Sequence, residues 1–227
     1  KTLDEDTILV LDLPGNIQFT ACFALEAPAG KKVTFYTDTY TDRQGLANFK
    51  DTYITAEGER HYENYPWRSG SKLIIEAEAG VTFTRLGYRR SGFNGTWAGS
   101  FSSSNDDLDQ LWQEALNTIT ICMRDTYMDC PERERGPYMG DASNEIDAAL
   151  YSYDQAGLDL TKKAILACVA WTTQSGAIPS RAPSVKPQEI PNQSLIFMTS
   201  AYHYWFHSGD TETMTAYCKA FLNYLQL

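Results

Sequence analysis

The segment Asp129-Cys130-Pro131-Glu132-Arg133-Glu134-Arg135-Gly136-Pro137-Tyr138-Met139-Gly140-Asp141 packs six charges, two prolines and two glycines into one short connection. Such residues suit glycosidic-bond hydrolysis, which needs a protonated carboxylic acid for the leaving oxygen and a carboxylate to handle the nucleophile. Where several acids converge in a partly dry pocket, repulsion and desolvation raise one pKa enough to keep its proton near neutrality. Arginines hold the other acids ionised. Carboxylates also accept hydrogen bonds from sugar hydroxyls, and Tyr127, Tyr138 and Trp171 are candidate apolar platforms for ring faces. The competing reading is a solvated charged loop in which Arg133 and Arg135 neutralise their neighbours.

The elements around this segment follow two different periods. From Lys1 to about Arg90 the strand formers alternate, in Thr7-Ile8-Leu9-Val10-Leu11, Gln18 to Phe23, Val33 to Tyr36, Asp51 to Ile54 and Leu73 to Glu76. Turn signals at Pro14-Gly15-Asn16, Pro28-Ala29-Gly30, Glu57-Gly58 and Ser69-Gly70-Ser71 separate these runs at the spacing of an antiparallel β-sandwich. After the glycine-rich stretch Ser91 to Gly99, helical spacing takes over. Ser104-Asn105-Asp106-Asp107 reads as a capping box for a first helix through Leu108, Leu111, Trp112, Leu116 and Ile119, running on to Asp125. A second helix fits Ala142 to Gln155 and ends at Gly157, and Asp159 caps a third. Four prolines between Ser175 and Asn192 require a loop, followed by a fourth helix to Gly209 and a fifth from Asp210.

The run Asp129-Cys130-Pro131-Glu132-Arg133-Glu134-Arg135, followed by Gly136 and Gly140-Asp141, resembles the signature of family 78 glycoside hydrolases, the α-L-rhamnosidases. The resemblance extends to Phe101 through Trp112, to Ile178-Pro179-Ser180 and to Ser208-Gly209-Asp210, and covers about Thr96 to Leu227. It implies mixed β and α architecture, with residues 1–96 a β-sandwich accessory domain and 97–227 the N-terminal part of an incomplete (α/α)6-barrel catalytic domain. Carried over by position, it makes Glu134 the general acid, Asp129 and Asp141 binders of the rhamnose hydroxyls, and Arg133 the neighbour that orients and tunes them. It further implies an inverting mechanism whose general base belongs to later barrel helices, so that this chain is a piece lacking the base. Pro137-Tyr138-Met139 departs from the family pattern and bears on substrate preference. Two rivals remain: a hydrolase of another sugar on the same barrel, and a carbohydrate-binding piece without turnover.

The 227 residues, 43% hydrophobic and 13% aromatic, suffice for a sizeable core and exclude a disordered chain. A net charge of -10 with no basic run argues against nucleic acid and anionic membrane as partners; the partner that the resemblance implies is a carbohydrate. The five cysteines are odd in number and scattered, without a CxxC pair, and read as buried free thiols. Cys130 sits among acids, which disfavours a thiolate nucleophile. His203 and His207 have zinc-ligand spacing, but Tyr204 stands where a metalloprotease places its glutamate, so packing is the expected role. The acids around Asp129 and Asp141 lack the alternation of a calcium loop, and no metal or cofactor is expected. Polysaccharide-degrading relatives imply a periplasmic or secreted location.

Overall fold

Alternation of inward and outward side chains governs the first part of β1 (Thr7–Ala27), the longest strand, in the computed structural model, which describes residues 2–45 and 49–227. Its partners are β2 (Lys32–Thr37), β3 (Asp51–Ile54), β4 (Gly58–Glu63), β5 (Arg68–Ala77) and β6 (Thr82–Arg90), in the order β3-β2-β5-β1-β4 with β6 also on β1. Every pairing is antiparallel. The first part of β1 pairs with β5, and from Phe19 onward it pairs with β6 and then also with β4. One strand thus serves both parts of a curled sheet, whose inner face closes on itself. Phe23 reaches Phe35 at 5.8 Å and Tyr53 at 5.6 Å between ring centroids, over a core of Phe19, Leu25, Val33, Leu73, Ile75 and Val81.

Two expected turns lie inside strands. Four residues of β1, Leu13 to Asn16, stand opposite the single β5 residue Ser71, so Pro14-Gly15-Asn16 forms a bulge in one continuous strand. A bulge accepts a proline because its missing N–H is not needed for the ladder there. Ser69-Gly70-Ser71 belongs to β5, where a side chain on Gly70 would lie 2.8 Å from Thr37 Cβ and Asp38 Oδ1. The glycine therefore marks a close approach of two chain segments. Asp38 uses that proximity to accept from the backbone N–H of Ser71 at 2.8 Å and of Lys72 at 2.9 Å.

The chain divides into two compact units, Lys1–Gly92 and Phe93–Leu227. The second holds α1 (Asp106–Ile121), α2 (Met139–Ser152), α3 (Gln155–Ala170), α4 (Pro191–Ser208) and α5 (Thr211–Tyr224). Asn105 caps α1 by accepting from Asp107 N–H, Pro191 opens α4, Gly209 ends it in the left-handed region, and Asp210 caps α5. The boundary between α2 and α3 differs from expectation. Tyr153 is extended and bridges to Trp97, which stops α2 at Ser152, and Asp154 rather than Asp159 then caps α3 by accepting from Ala156 N–H at 3.0 Å. α2 packs against α4, and α3 against α5, around a core that includes Met139, Ile146, Ile165, Cys168, Phe197 and Tyr217. Among the described residues no helix is long and apolar enough to cross a membrane.

Gly70→Ala is expected to destabilise the sheet unit by about 1–3 kcal/mol, the usual cost of forcing an extra carbon into filled space. Urea unfolding followed by tryptophan fluorescence checks it, with an unchanged midpoint counting against the close approach.

Candidate active site

The acidic segment is a closed loop between α1 and α2, and its ends are tied through one residue pair. Asp129 N–H donates to Gly136 O at 3.0 Å, and Gly136 N–H returns a bond to Asp129 Oδ1 at 2.7 Å. Gly136 has no room for a side chain, since a Cβ would lie 2.8 Å from the Tyr138 ring and 3.1 Å from Arg181 Cδ. Within the loop Arg135 takes a positive φ of 51°, and its Nε donates to Pro131 O at 2.8 Å. This brings Asp129, Cys130 and Glu134 together: a carboxylate oxygen of each acid and the Cys130 sulfur lie within 4.8 Å of one another. The Cys130 thiol donates to Asp129 Oδ2 at 3.2 Å and to Glu134 Oε2 at 3.4 Å.

The long connection before α4 fixes where α2 starts. Met139 N–H donates to Ser180 O at 2.7 Å, Tyr138 bridges to Arg181, and Ser180 N–H bonds Gln188 O at 2.8 Å. Asp141 therefore stands in the first turn of α2, the helix end that favours negative charge. Glu145 follows one turn later on the same side of the helix. Its side chain is half-buried, with an Oε2 that is shut off from solvent and without a hydrogen-bond partner among the described residues.

Solvent sorts these acids. Glu134 is held down to about 2, first by its bond from Arg133 Nε at 2.7 Å. Burial pushes Asp129 upward, and the Glu134 charge adds to the rise. Glu145 is pushed up to about 9 by burial and then by the charges of Asp141 and Asp129, with a bond to the Cys122 thiol opposing the rise. Burial, followed by the Glu145 charge, raises Cys122 itself to about 12. At neutral pH the acid that keeps its proton in this arrangement is Glu145, while Glu134 is ionised.

Other candidate groups fall into structural places. Tyr127 is fully buried and its hydroxyl shares a 2.9 Å bond with Thr161, so it is a core residue and not a sugar platform. Tyr138 is half-buried beneath Arg181, whose Nη1 donates to its hydroxyl at 3.1 Å, and Trp171 ends α3 partly exposed. His203 Nδ1 bonds Asp147 at 2.7 Å and His207 packs edge-on against Tyr151, which gives the histidine pair packing and pairing roles.

Residues 96–227, more than half of the chain, match the family model described as the bacterial alpha-L-rhamnosidase 6 hairpin glycosidase domain. The chain belongs to this family. Among solved structures it is similar to the GH78 family rhamnosidase of Bacillus sp. GL1, with TM-score 0.87 and 25% identity over 97% of this chain and 24% of that one. A rhamnosidase from Klebsiella oxytoca with rhamnose bound gives TM-score 0.85 and 15% identity over 100% of this chain and 49% of that one. An α-L-rhamnosidase from Streptomyces avermitilis complexed with L-rhamnose gives 0.73 and 17% over 99% and 24%. The chain thus spans from about a quarter to about half of the length of these relatives. No curated protein sequence matches it.

In this rhamnosidase-family chain the loop joins Asp129, Arg133 and Glu134 directly, and α2 contributes Asp141 from its first turn. Asp141 and Asp129 meet electrostatically at Glu145 and Cys122. Sequence reasoning passed over Glu145, although an acid between Ala142, Ile146 and Ala149 on the buried stripe of α2 was a usable signal.

A buried acid that binds its proton more tightly when folded loses stability as pH rises. The unfolded chain gains by ionising from about the ordinary value of 4.5, and the folded chain cannot follow until about 9. Glu145→Gln is expected to flatten this decline, whose slope is up to about 1.4 kcal/mol per pH unit between the two values, and to be the more stable protein at pH 8. Melting temperatures across pH 5 to 8 test the assignment, and parallel curves for both proteins would count against it.

Proposed function

We propose that the chain carries the general-acid half of an inverting α-L-rhamnosidase site, removing terminal α-L-rhamnose from glycosides or glycans. The observation that carries this reading is the cluster of Asp129 and Glu134 with Arg133, followed by Asp141 in the first turn of α2, in a chain of the rhamnosidase family. The rhamnose-bound state of two similar structures supports the choice of sugar.

In this reading Asp129 and Asp141 accept hydrogen bonds from the sugar hydroxyls. The clasp to Gly136 holds Asp129, and the helix start holds Asp141. Glu134 donates its proton to the leaving oxygen. To do so it must leave Arg133, and the pair is suited to opening because the Arg133 side chain is 82% exposed. With Arg133 turned away and water displaced by substrate, the drier surroundings favour the protonated form of Glu134. Arg133 is then the residue that tunes the acid, pairing with the carboxylate that proton transfer leaves until a proton from solvent recharges it. The base that activates water on the far face of the ring lies, on this proposal, in helices outside residues 1–227. A periplasmic or secreted location suits a substrate of this kind.

Hydrolysis of p-nitrophenyl α-L-rhamnoside by the chain joined to the rest of its six-hairpin domain is the direct test, with the product anomer followed by NMR. Glu134→Gln is expected to lower kcat by about a hundred- to ten-thousand-fold. Asp129→Asn and Asp141→Asn should mainly weaken binding, by about ten- to a hundred-fold each, the worth of a hydrogen bond to a charged group. Arg133→Met removes the charge that lowers the Glu134 pKa, so the alkaline limb of kcat/KM should move to higher pH. Retention of configuration, or full activity in Glu134→Gln, would sink the mechanism.

A further inference from the structure

The reading above leaves one buried carboxyl without a task. Glu145 sits on the stripe of α2 that carries Ala142, Ile146 and Ala149, one turn beyond Asp141. Its Oε2 is shut off from solvent and has no hydrogen-bond partner among the described residues. An ionised carboxylate in that position would carry a bare charge away from water, which costs far more than an unpaired neutral oxygen. It would also face Asp141 at the i,i+4 spacing, where like charges repel, and Asp129 from the loop. No arginine or lysine is among the groups that act on it.

We propose that Glu145 is a positioning residue of the sugar-binding acids: it stays uncharged, and in that form it leaves Asp129 and Asp141 as the two carboxylates that grip a polyol. The inference rests on the rhamnosidase reading for its ligand but not for its proton. The neutral carboxyl lies within electrostatic reach of both acids without repelling them. Ionised, it sets a third negative charge within reach of them, and the repulsion drives them apart. The titratable groups that face it are Cys122, Tyr127 and Asp129, from the end of α1 and the loop, and Asp141 from its own helix. The Cys122 thiol remains protonated well above neutrality and is its hydrogen-bonding neighbour. Because burial holds the Glu145 proton to about pH 9, the arrangement persists across the neutral range.

Two measurements on the chain test this, one with sugar and one without. Infrared spectra at pH 7 should contain the carbonyl stretch of a buried protonated carboxylic acid that is missing in Glu145→Gln; identical spectra would overturn the assignment. Calorimetric titration with L-rhamnose should show affinity falling by up to about tenfold per pH unit above about pH 9, the slope of one ionisation, and a level profile in Glu145→Gln. Equal slopes in the two proteins would overturn the positioning role. Cys122→Ala leaves the carboxyl in place and removes a bond that lowers its pKa, so the infrared band should remain and the fall in affinity should move to higher pH. A fall that stays put or moves to lower pH would overturn the proposal even where Glu145→Gln does not fold. If the infrared band is present but L-rhamnose does not bind, the proton assignment is supported and the rhamnose reading is what fails.

Discussion

The clasp between Asp129 and Gly136 is the interaction on which the acidic loop depends. Two hydrogen bonds, one of them to a side chain, close the segment from Asp129 to Gly136. Closure is possible because residue 136 has no Cβ, and Tyr138 and Arg181 then occupy the space beside it. From there the chain passes directly into Tyr138 and Met139, which bond the segment around Ser180 and start α2. The position of Asp141, and of Glu145 a turn later, is therefore linked through a short run of backbone to the position of Asp129. A shift at Gly136 would bear on both Asp129 and the start of α2, because its own bonds join the one and the run to Met139 leads into the other.

Three carboxyls within one small region cannot share a protonation state, and burial is what separates them. Glu134 lies outermost with an arginine and is ionised; Asp129 is intermediate and pushed upward; Glu145 is innermost and holds its proton. The gradient follows distance from water more than proximity of charges, since burial is the leading cause for both Asp129 and Glu145. Only the exposed member is governed first by an ion pair, and an exposed ion pair is the one that substrate can most readily displace.

Much of this was legible in the residues themselves. Caps at Asn105 and Asp210, the proline opening α4 and the glycine ending it fall where local backbone chemistry places them, since each acts within a turn. Less legible was whatever depends on distant partners. β4, reading Gly58-Glu59-Arg60-His61-Tyr62-Glu63, is polar enough to lack a strand pattern, and its pairing with β1 is what makes it a strand. The glycine at position 70 resembles a turn residue until the Thr37–Asp38 segment is seen beside it. The end of α2 depends on Trp97, 56 residues away from Tyr153. In the site, the charged loop announced itself through composition, whereas the state of each acid depends on burial, which spacing alone does not reveal. Tyr127, read as a possible platform, is for the same reason a core residue.

Keeping a protonated glutamate inside a helical core is a local conflict between sequence and fold, and such conflicts are retained where function uses them. A leucine or methionine at position 145 would pack with Ile146 and Met139 at no electrostatic cost. It would also leave the Cys122 thiol without its carboxyl partner. A neutral carboxyl supplies similar bulk, adds no charge beside the two acids, and keeps the Cys122 thiol as a hydrogen-bonding neighbour. That property needs the proton to be present at working pH. The burial that makes Glu145 costly to the fold is therefore also what makes it useful to the acids around it.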